Sequence, residues 1–242
     1  MKNYILIVFL SGFISTANAG FDEGLMAHEA GNYKQAFESF MPLAKQGDAQ
    51  AQFNIGVMYD EGQGVRQDNT QANVWYRKAA EQGHVVGQRI MGFQYFHGRG
   101  VPRDYVQAFS WYRKAAEQGD ASAQGSIGLM YEVGLGVTKD DILSVKWLRM
   151  GAERGEHFAQ FALGKRYAQG EGVPKNKVVA YALFNLFDSD ELDALPNGHK
   201  QKLQTMQDLT RETYKDAVQL TSEMTKPNNL NKAIAKYLNK PN

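Results

Sequence analysis

The chain has 242 residues and no cysteine. That absence excludes disulfides, thiolate zinc sites, iron–sulfur ligation and cysteine nucleophiles, and with them the lipid-modified cysteine of a lipoprotein anchor. An excess of either charge is missing too. The 27 Lys and Arg nearly balance 26 Asp and Glu, leaving a formal net charge of +1. No broad basic field invites nucleic acid or anionic lipid, and there is no acidic tail. Long apolar runs are also lacking, since a spanning helix needs about 20 apolar residues. What the chain does have is 43% hydrophobic residues, enough to bury a core rather than stay disordered.

The N-terminus reads as an address. Lys2 gives a positive start, Ile5 to Ile14 is a short apolar stretch, and Ala17-Asn18-Ala19 is a small-x-small cleavage pattern. Residues 1–19 are therefore expected to be a signal peptide cleaved after Ala19. The mature chain from Gly20 then loses only Lys2 among its charges, giving 26 of each sign. A periplasmic or secreted protein without stable membrane insertion is the expectation.

Beyond that segment a fixed period organises the chain. Gly47, Gly83, Gly119 and Gly155 are 36 apart, and so are Gly56, Gly92, Gly128 and Gly164. Tyr59, Tyr95, Tyr131 and Tyr167 keep the step, as do Trp75, Trp111 and Trp147. The pairs Gly62/Gly64, Gly98/Gly100, Gly134/Gly136 and Gly170/Gly172 repeat at the same interval, each trailed by a valine. Each unit predicts two helices. In the first, Ala51, Ile55 and Tyr59 share a face with Gly56, which allows a close neighbour at about 1 kcal/mol of helix propensity. Gly62-x-Gly64 stops it through left-handed geometry. Asp68 reads as the next N-cap with Gln71 as its capping-box partner; Asp104 and Gln107 repeat this, and Asp140 and Asn176 keep the cap alone. The second helix carries Ala72, Tyr76, Ala79 and Ala80.

One such pair cannot bury its apolar faces alone, so neighbouring copies must stack. The expected fold is all-α, a right-handed α/α superhelical solenoid with a helical C-terminal cap. Residues 20–47 read as a shortened copy whose first helix is a stub, residues 48–187 as four copies, and residues 188–242 as the cap. Within the cap a polar helical pattern runs from His199 to Met224, with Leu230 to Leu238 as a last short helix.

These motifs resemble Sel1-like repeats, a branch of the tetratricopeptide-type solenoids. The carriers are Ala49 through Ile55-Gly56, Tyr59 and Gly62-x-Gly64-Val65, and the string Trp75-Tyr76-Arg77-Lys78-Ala79-Ala80-Glu81-Gln82-Gly83, which recurs unchanged from Trp111 to Gly119. The resemblance covers Phe21 to about Asp188. It implies a non-enzymatic scaffold for protein–protein interaction, with adaptor, envelope or host-contact roles among exported bacterial members. Some cysteine-rich relatives are associated with penicillin binding and weak β-lactam hydrolysis. This chain lacks the cysteines that define that subgroup, so such a hydrolase is an alternative only, as is a secreted host-contact factor.

Candidate chemistry is sparse. Gly62-x-Gly64 closes a helix, whereas a phosphate loop must open one. His28-Glu29 begins a zinc-protease pattern, but Asn32 stands where the second histidine belongs. His28, His84, His97, His157 and His199 are never three or four residues apart, so no metal or other cofactor is expected. No Ser-x-x-Lys or Gly-x-Ser-x-Gly occurs. Arg77/Glu81, Arg113/Glu117 and Arg149/Glu153 read as solvated i,i+4 ion pairs.

Positions that vary between copies are free for a partner. On the first helices they lie three and four apart and share a face, which lines the groove in tetratricopeptide-type solenoids. The candidates are Phe53, Val57, Arg89, Phe93, Phe96, His97, Leu129, Phe161 and Lys165. Exposed aromatics need cover, and aromatics and Arg are favoured binding hot spots. Phe93 and Phe96 are the expected anchors for a protein or peptide segment, with Arg89 and Lys165 meeting its acidic groups. The competing expectation is that Phe53, Phe93, Phe96, Phe158 and Phe161 are ordinary core.

Overall fold

The computed structural model describes residues 19–187 and 197–240. The expected signal peptide lies outside them apart from Ala19, as do Asp188, Ser189 and Pro196. Among the described residues there are thirteen α-helices arranged as sequential pairs, the architecture of an all-α repeat solenoid. The chain divides into two compact units, one ending at Asp104 and one starting at Tyr105.

The first unit holds α1 (Ala19–Glu29), α2 (Tyr33–Gln46), α3 (Ala49–Glu61), α4 (Asn69–Glu81) and α5 (Val85–His97). Each helix packs on the next in sequence. The expected stub is in fact α1, a full helix of 11 residues. It pairs with α2 because Gly24 leaves room for Phe40, whose ring would lie 2.5 Å from a Cβ at that position. The same fit recurs at Gly56, where a Cβ would meet the Tyr76 ring at 2.6 Å. The glycine of the repeat therefore seats the aromatic of its own pair. Burying such a ring stabilises by roughly 1.5–3 kcal/mol, more than the glycine's propensity cost of about 1 kcal/mol.

The second unit holds α6 (Tyr105–Glu117), α7 (Ala121–Val133), α8 (Asp141–Glu153), α9 (His157–Gln169) and α10 (Lys177–Phe184), then α11 (Gly198–Gln207), α12 (Arg211–Met224) and α13 (Leu230–Leu238). Gly128 seats Leu148 and Gly164 seats Phe184, each 2.6 Å from the would-be Cβ. The predicted polar helix over 199–224 is two helices. Thr210 breaks it, because its hydroxyl caps Thr213 and the Thr213 hydroxyl accepts from the Thr210 N–H, a reciprocal capping box. The core of this unit continues into α12 and α13, where Leu220, Met224, Leu230, Ala233 and Ile234 join Leu148, Leu163, Leu183 and Phe184.

Polar details keep the period as closely as the apolar ones. Asp68 accepts from Thr70 N and Gln71 N, Asp140 from Ile142 N and Leu143 N, and Asn176 from Val179 N, so these caps form as predicted. The Asp68 N–H, however, donates to the Tyr59 carbonyl at 2.9 Å, and Gln71 does not close the expected capping box. Four glutamines that sequence reasoning passed over do equivalent work inside the stack. Gln52, Gln88, Gln124 and Gln160 donate Nε2 to the carbonyls of Ala44, Ala80, Ala116 and Ala152 at 3.0, 3.1, 3.0 and 3.1 Å. Each adds a second donor to a last-turn carbonyl of the preceding helix that already accepts from the N–H of Gly47, Gly83, Gly119 or Gly155, and so ties one helix pair to the next.

The arginine stripe is corrected in part. Arg113 pairs with Glu117 at 2.7 Å, with both side chains exposed. Arg77 and Arg149 instead donate to the hydroxyls of Tyr95 and Tyr167 on the next helix. Glu153 accepts from Asn231 N at 2.6 Å, so it caps α13 from across the unit. These side chains tie helices together rather than forming a uniform solvated face.

Candidate functional site

The candidate residues separate by exposure. In the first unit, Phe53 and Val57 are 5% and 4% exposed and belong to the core. The Phe53 ring lies 5.8 Å from Tyr76 and is stacked on His84 at 4.6 Å with 23° between planes. In the second unit Phe161 is 3% exposed, between Phe184 at 5.3 Å and Phe187 at 6.2 Å. These three side chains are corrected from groove candidates to packing residues, and for Phe53 and Phe161 that is the competing expectation. The Phe53 and Phe161 rings fill the gap between a first helix and the second helix of its pair, against Tyr76 and Phe184.

The remaining candidates are reachable. On α5, Phe93, Phe96 and Arg89 are half-buried and His97 is exposed. The His97 ring lies 4.3 Å from Phe93 and 5.0 Å from Phe96, forming a three-ring cluster at the end of the helix. In the second unit Leu129 is half-buried and Phe158 is 36% exposed. Lys165 lies 3.9 Å from Glu132, so its charge already has an internal partner.

Beside Lys165 stands a residue that sequence reasoning missed. Arg166 is only 1% exposed. Its Nη2 is 2.6 Å from Glu132 Oε1, a close ion contact without hydrogen-bond alignment, and its Nη1 is 3.5 Å from Asp141 Oδ1 and in contact with Glu171. The sequence signal was available, because the other copies place Met58, Gln94 and Met130 at this position. A guanidinium taken from water needs such carboxylates around it. A comparable pair in the first unit joins the buried Asp60 to Arg99 at 2.7 Å.

His84 occupies the N-cap of α5. Its Nδ1 accepts from Gly87 N at 3.0 Å, and its Nε2 lies 3.1 Å from Gln50 Oε1. Burial pushes its pKa down, with Asp48 acting the other way. At the matching cap of α9, burial pushes the Glu156 carboxyl up, opposed by the backbone N–H groups it accepts. Among the described residues no group of three His, Cys, Asp or Glu could hold a metal ion, and no helix is long and apolar enough to cross a membrane.

The helix pairs, the glycine seats and the 36-residue step all meet the Sel1 repeat model, which matches residues 49–84, 85–120, 121–156 and 157–186. The chain belongs to the Sel1 repeat family. A search of curated proteins finds no match. Among solved structures, a Sel1 repeat protein from Oxalobacter formigenes is 31% identical with a TM-score of 0.69, and the match covers 87% of this chain and 88% of that one. A protective antigen present in uropathogenic Escherichia coli strains is 35% identical with a TM-score of 0.67. That match covers 86% of this chain but 48% of the antigen, so the chain spans about half its length. Sel1 repeat proteins are scaffolds that generally mediate protein–protein interaction and are typically non-enzymatic.

Proposed function

We propose that this Sel1 repeat scaffold is exported and binds a protein segment on the face of α5. The observation that carries the reading is the cluster of Phe93, Phe96 and His97, with Arg89 on the same helix. Half-buried rings beside a guanidinium are the composition of a binding hot spot, since they offer apolar area at low entropic cost. The fixed positions of the repeat hold the stack, so these varying positions are the ones left to choose a partner. Leu129 and Lys165 offer a second, smaller patch in their own unit. The segment bound on α5 would be extended or helical and carry acidic groups for Arg89. The export half rests on residues 1–19 and agrees with likeness to a chain described as a protective antigen.

Selection of a displayed peptide library on the mature protein tests the binding half. Peptides enriched on the parent are expected to lose at least roughly tenfold in affinity on a Phe93→Ala, His97→Ala variant with unchanged helical circular dichroism. Equal affinity for both proteins would move the site off α5. Fractionation with N-terminal sequencing tests the export half, with Gly20 as the expected first residue; an intact Met1 in the cytoplasm would remove it.

A further inference from the structure

Three of the four first helices in the repeats are capped by a carboxylate. Asp48, Asp120 and Glu156 each accept from the backbone N–H three residues on. In the remaining copy the cap is His84, which accepts from Gly87 N through Nδ1. The exchange changes what acid does to the helix. A carboxylate accepts throughout the neutral and mildly acidic range, whereas an imidazole accepts only through a nitrogen that carries no proton.

The surroundings assign both ring nitrogens. With Nδ1 engaged by Gly87, the proton of the neutral ring sits on Nε2 and points to Gln50 Oε1 at 3.1 Å. Phe53 covers one face of the ring at 4.6 Å. Gly87 comes so close that a Cβ there would lie 3.3 Å from Nδ1. A second proton would set an Nδ1–H against the Gly87 N–H and place a cation at a helix N-terminus, where the dipole disfavours it.

The charged groups around the ring do not reverse this. From the turn before α3, Asp48 favours the cation but acts more weakly than burial. From α4, Lys78 is held over the Trp75 ring at 4.2 Å, Glu81 is exposed, and Gln82 donates to Gln52 at 2.7 Å. On α5 itself the ionisable side chains are Arg89, Tyr95 and His97, one to several turns further along.

We propose that His84 is an acid-release latch on α5: its neutral ring caps the helix that carries Arg89, Phe93, Phe96 and His97, and a second proton undoes that cap. The folded pKa is depressed, so the stabilisation is complete above the unfolded value of about 6.5 and is lost as pH falls through the lower folded value. The consequence for partner binding rests on α5 being the docking face, whereas the latch itself does not.

The test therefore uses the mature chain with no partner present. Histidine ring signals and backbone amide exchange are monitored by NMR from about pH 8 to about pH 5 in the parent, His84→Asn and His84→Asp. Asparagine and aspartate both keep an acceptor that does not titrate in this interval, and aspartate is what two other copies use. The His84 ring is expected to titrate below the usual histidine value. Over the same interval the Gly87 and Gln88 amides of the parent lose roughly fivefold in protection after correction for intrinsic rates, and those of both variants lose none. A His84 titration at or above the usual value, or equal protection of the parent amides at both ends, would overturn the latch. So would the same acid loss in His84→Asn.

Discussion

At the residue scale the structure turns on side chains that meet a specific atom of a neighbouring helix. Gly56 shows which of two effects wins. Alanine there gains about 1 kcal/mol of helix propensity, but its Cβ would sit 2.6 Å from the buried Tyr76 ring, and overpacking costs about 1–3 kcal/mol. A lowered melting temperature is the expected outcome for Gly56→Ala, by several degrees in a thermal scan. The glutamine at the start of each first helix is a similar case. Gln88→Ala removes one of two donors to the Ala80 carbonyl, which keeps the Gly83 N–H, so a loss of about 0.5–1.5 kcal/mol is expected, and urea unfolding should show it without a change of slope. Glu156 runs opposite to His84. Its raised pKa makes its contribution complete below the unfolded value and diminished as pH rises through the raised folded value. Glu156→Gln keeps an acceptor oxygen and drops the buried charge, so its melting temperature at neutral pH should match or exceed the parent's. A fall of more than about 4 °C would contradict that. The period made the glutamines visible as a repeated letter, but a polar residue on a helix reads as solvated until its carbonyl partner is known. Arg77 and Arg149 misled for the same reason: their i,i+4 glutamates were visible, and the tyrosines on the next helix were not.

At the scale of elements, helix starts were the most legible feature. Asp68, Asp140 and Asn176 cap because a short side chain with an oxygen reaches the N–H groups two or three residues ahead, a purely local geometry. The split between α11 and α12 was written locally too, in Thr210 and Thr213, but the continuous polar pattern masked it. Helix α1 went unrecognised at full length because its apolar residues come after an apolar leader without a clear break. The cap of α13 was not legible at all. Asn229 makes no side-chain cap bond, and the acceptor is Glu153, on α8. Glu153→Ala is expected to speed amide exchange at Asn231 and through the first turn of α13, leaving α7 and α8 unchanged. A cap of this kind is worth about 1 kcal/mol, or roughly fivefold in exchange. Uniform exchange across both proteins would show that α13 is held by its apolar face alone.

At the scale of the molecule, the C-terminal helices complete a core that the last repeat leaves open. Val178 and Tyr181 of α10 pack against Ala217 of α12, and Leu220, Met224, Leu230 and Ile234 join the same unit's main core. A chain ending before Arg211 is expected to bind an apolar dye and to self-associate in size-exclusion chromatography, since those faces would meet water. A monodisperse truncation without dye binding would mean that the repeats close on themselves. By itself the sequence determined the helix pairs, their 36-residue step, their stops and caps, and membership of a repeat family. Each of these is a short-range rule, repeated until chance could not imitate it. Only the tertiary structure decided which varying positions face inward. Val57 stands one repeat before the half-buried Phe93, and Phe53 and Phe161 stand at the register of the half-buried Arg89. Whether such a side chain is core or surface depends on how closely the next helix approaches, and that distance is set by side chains dozens of residues away.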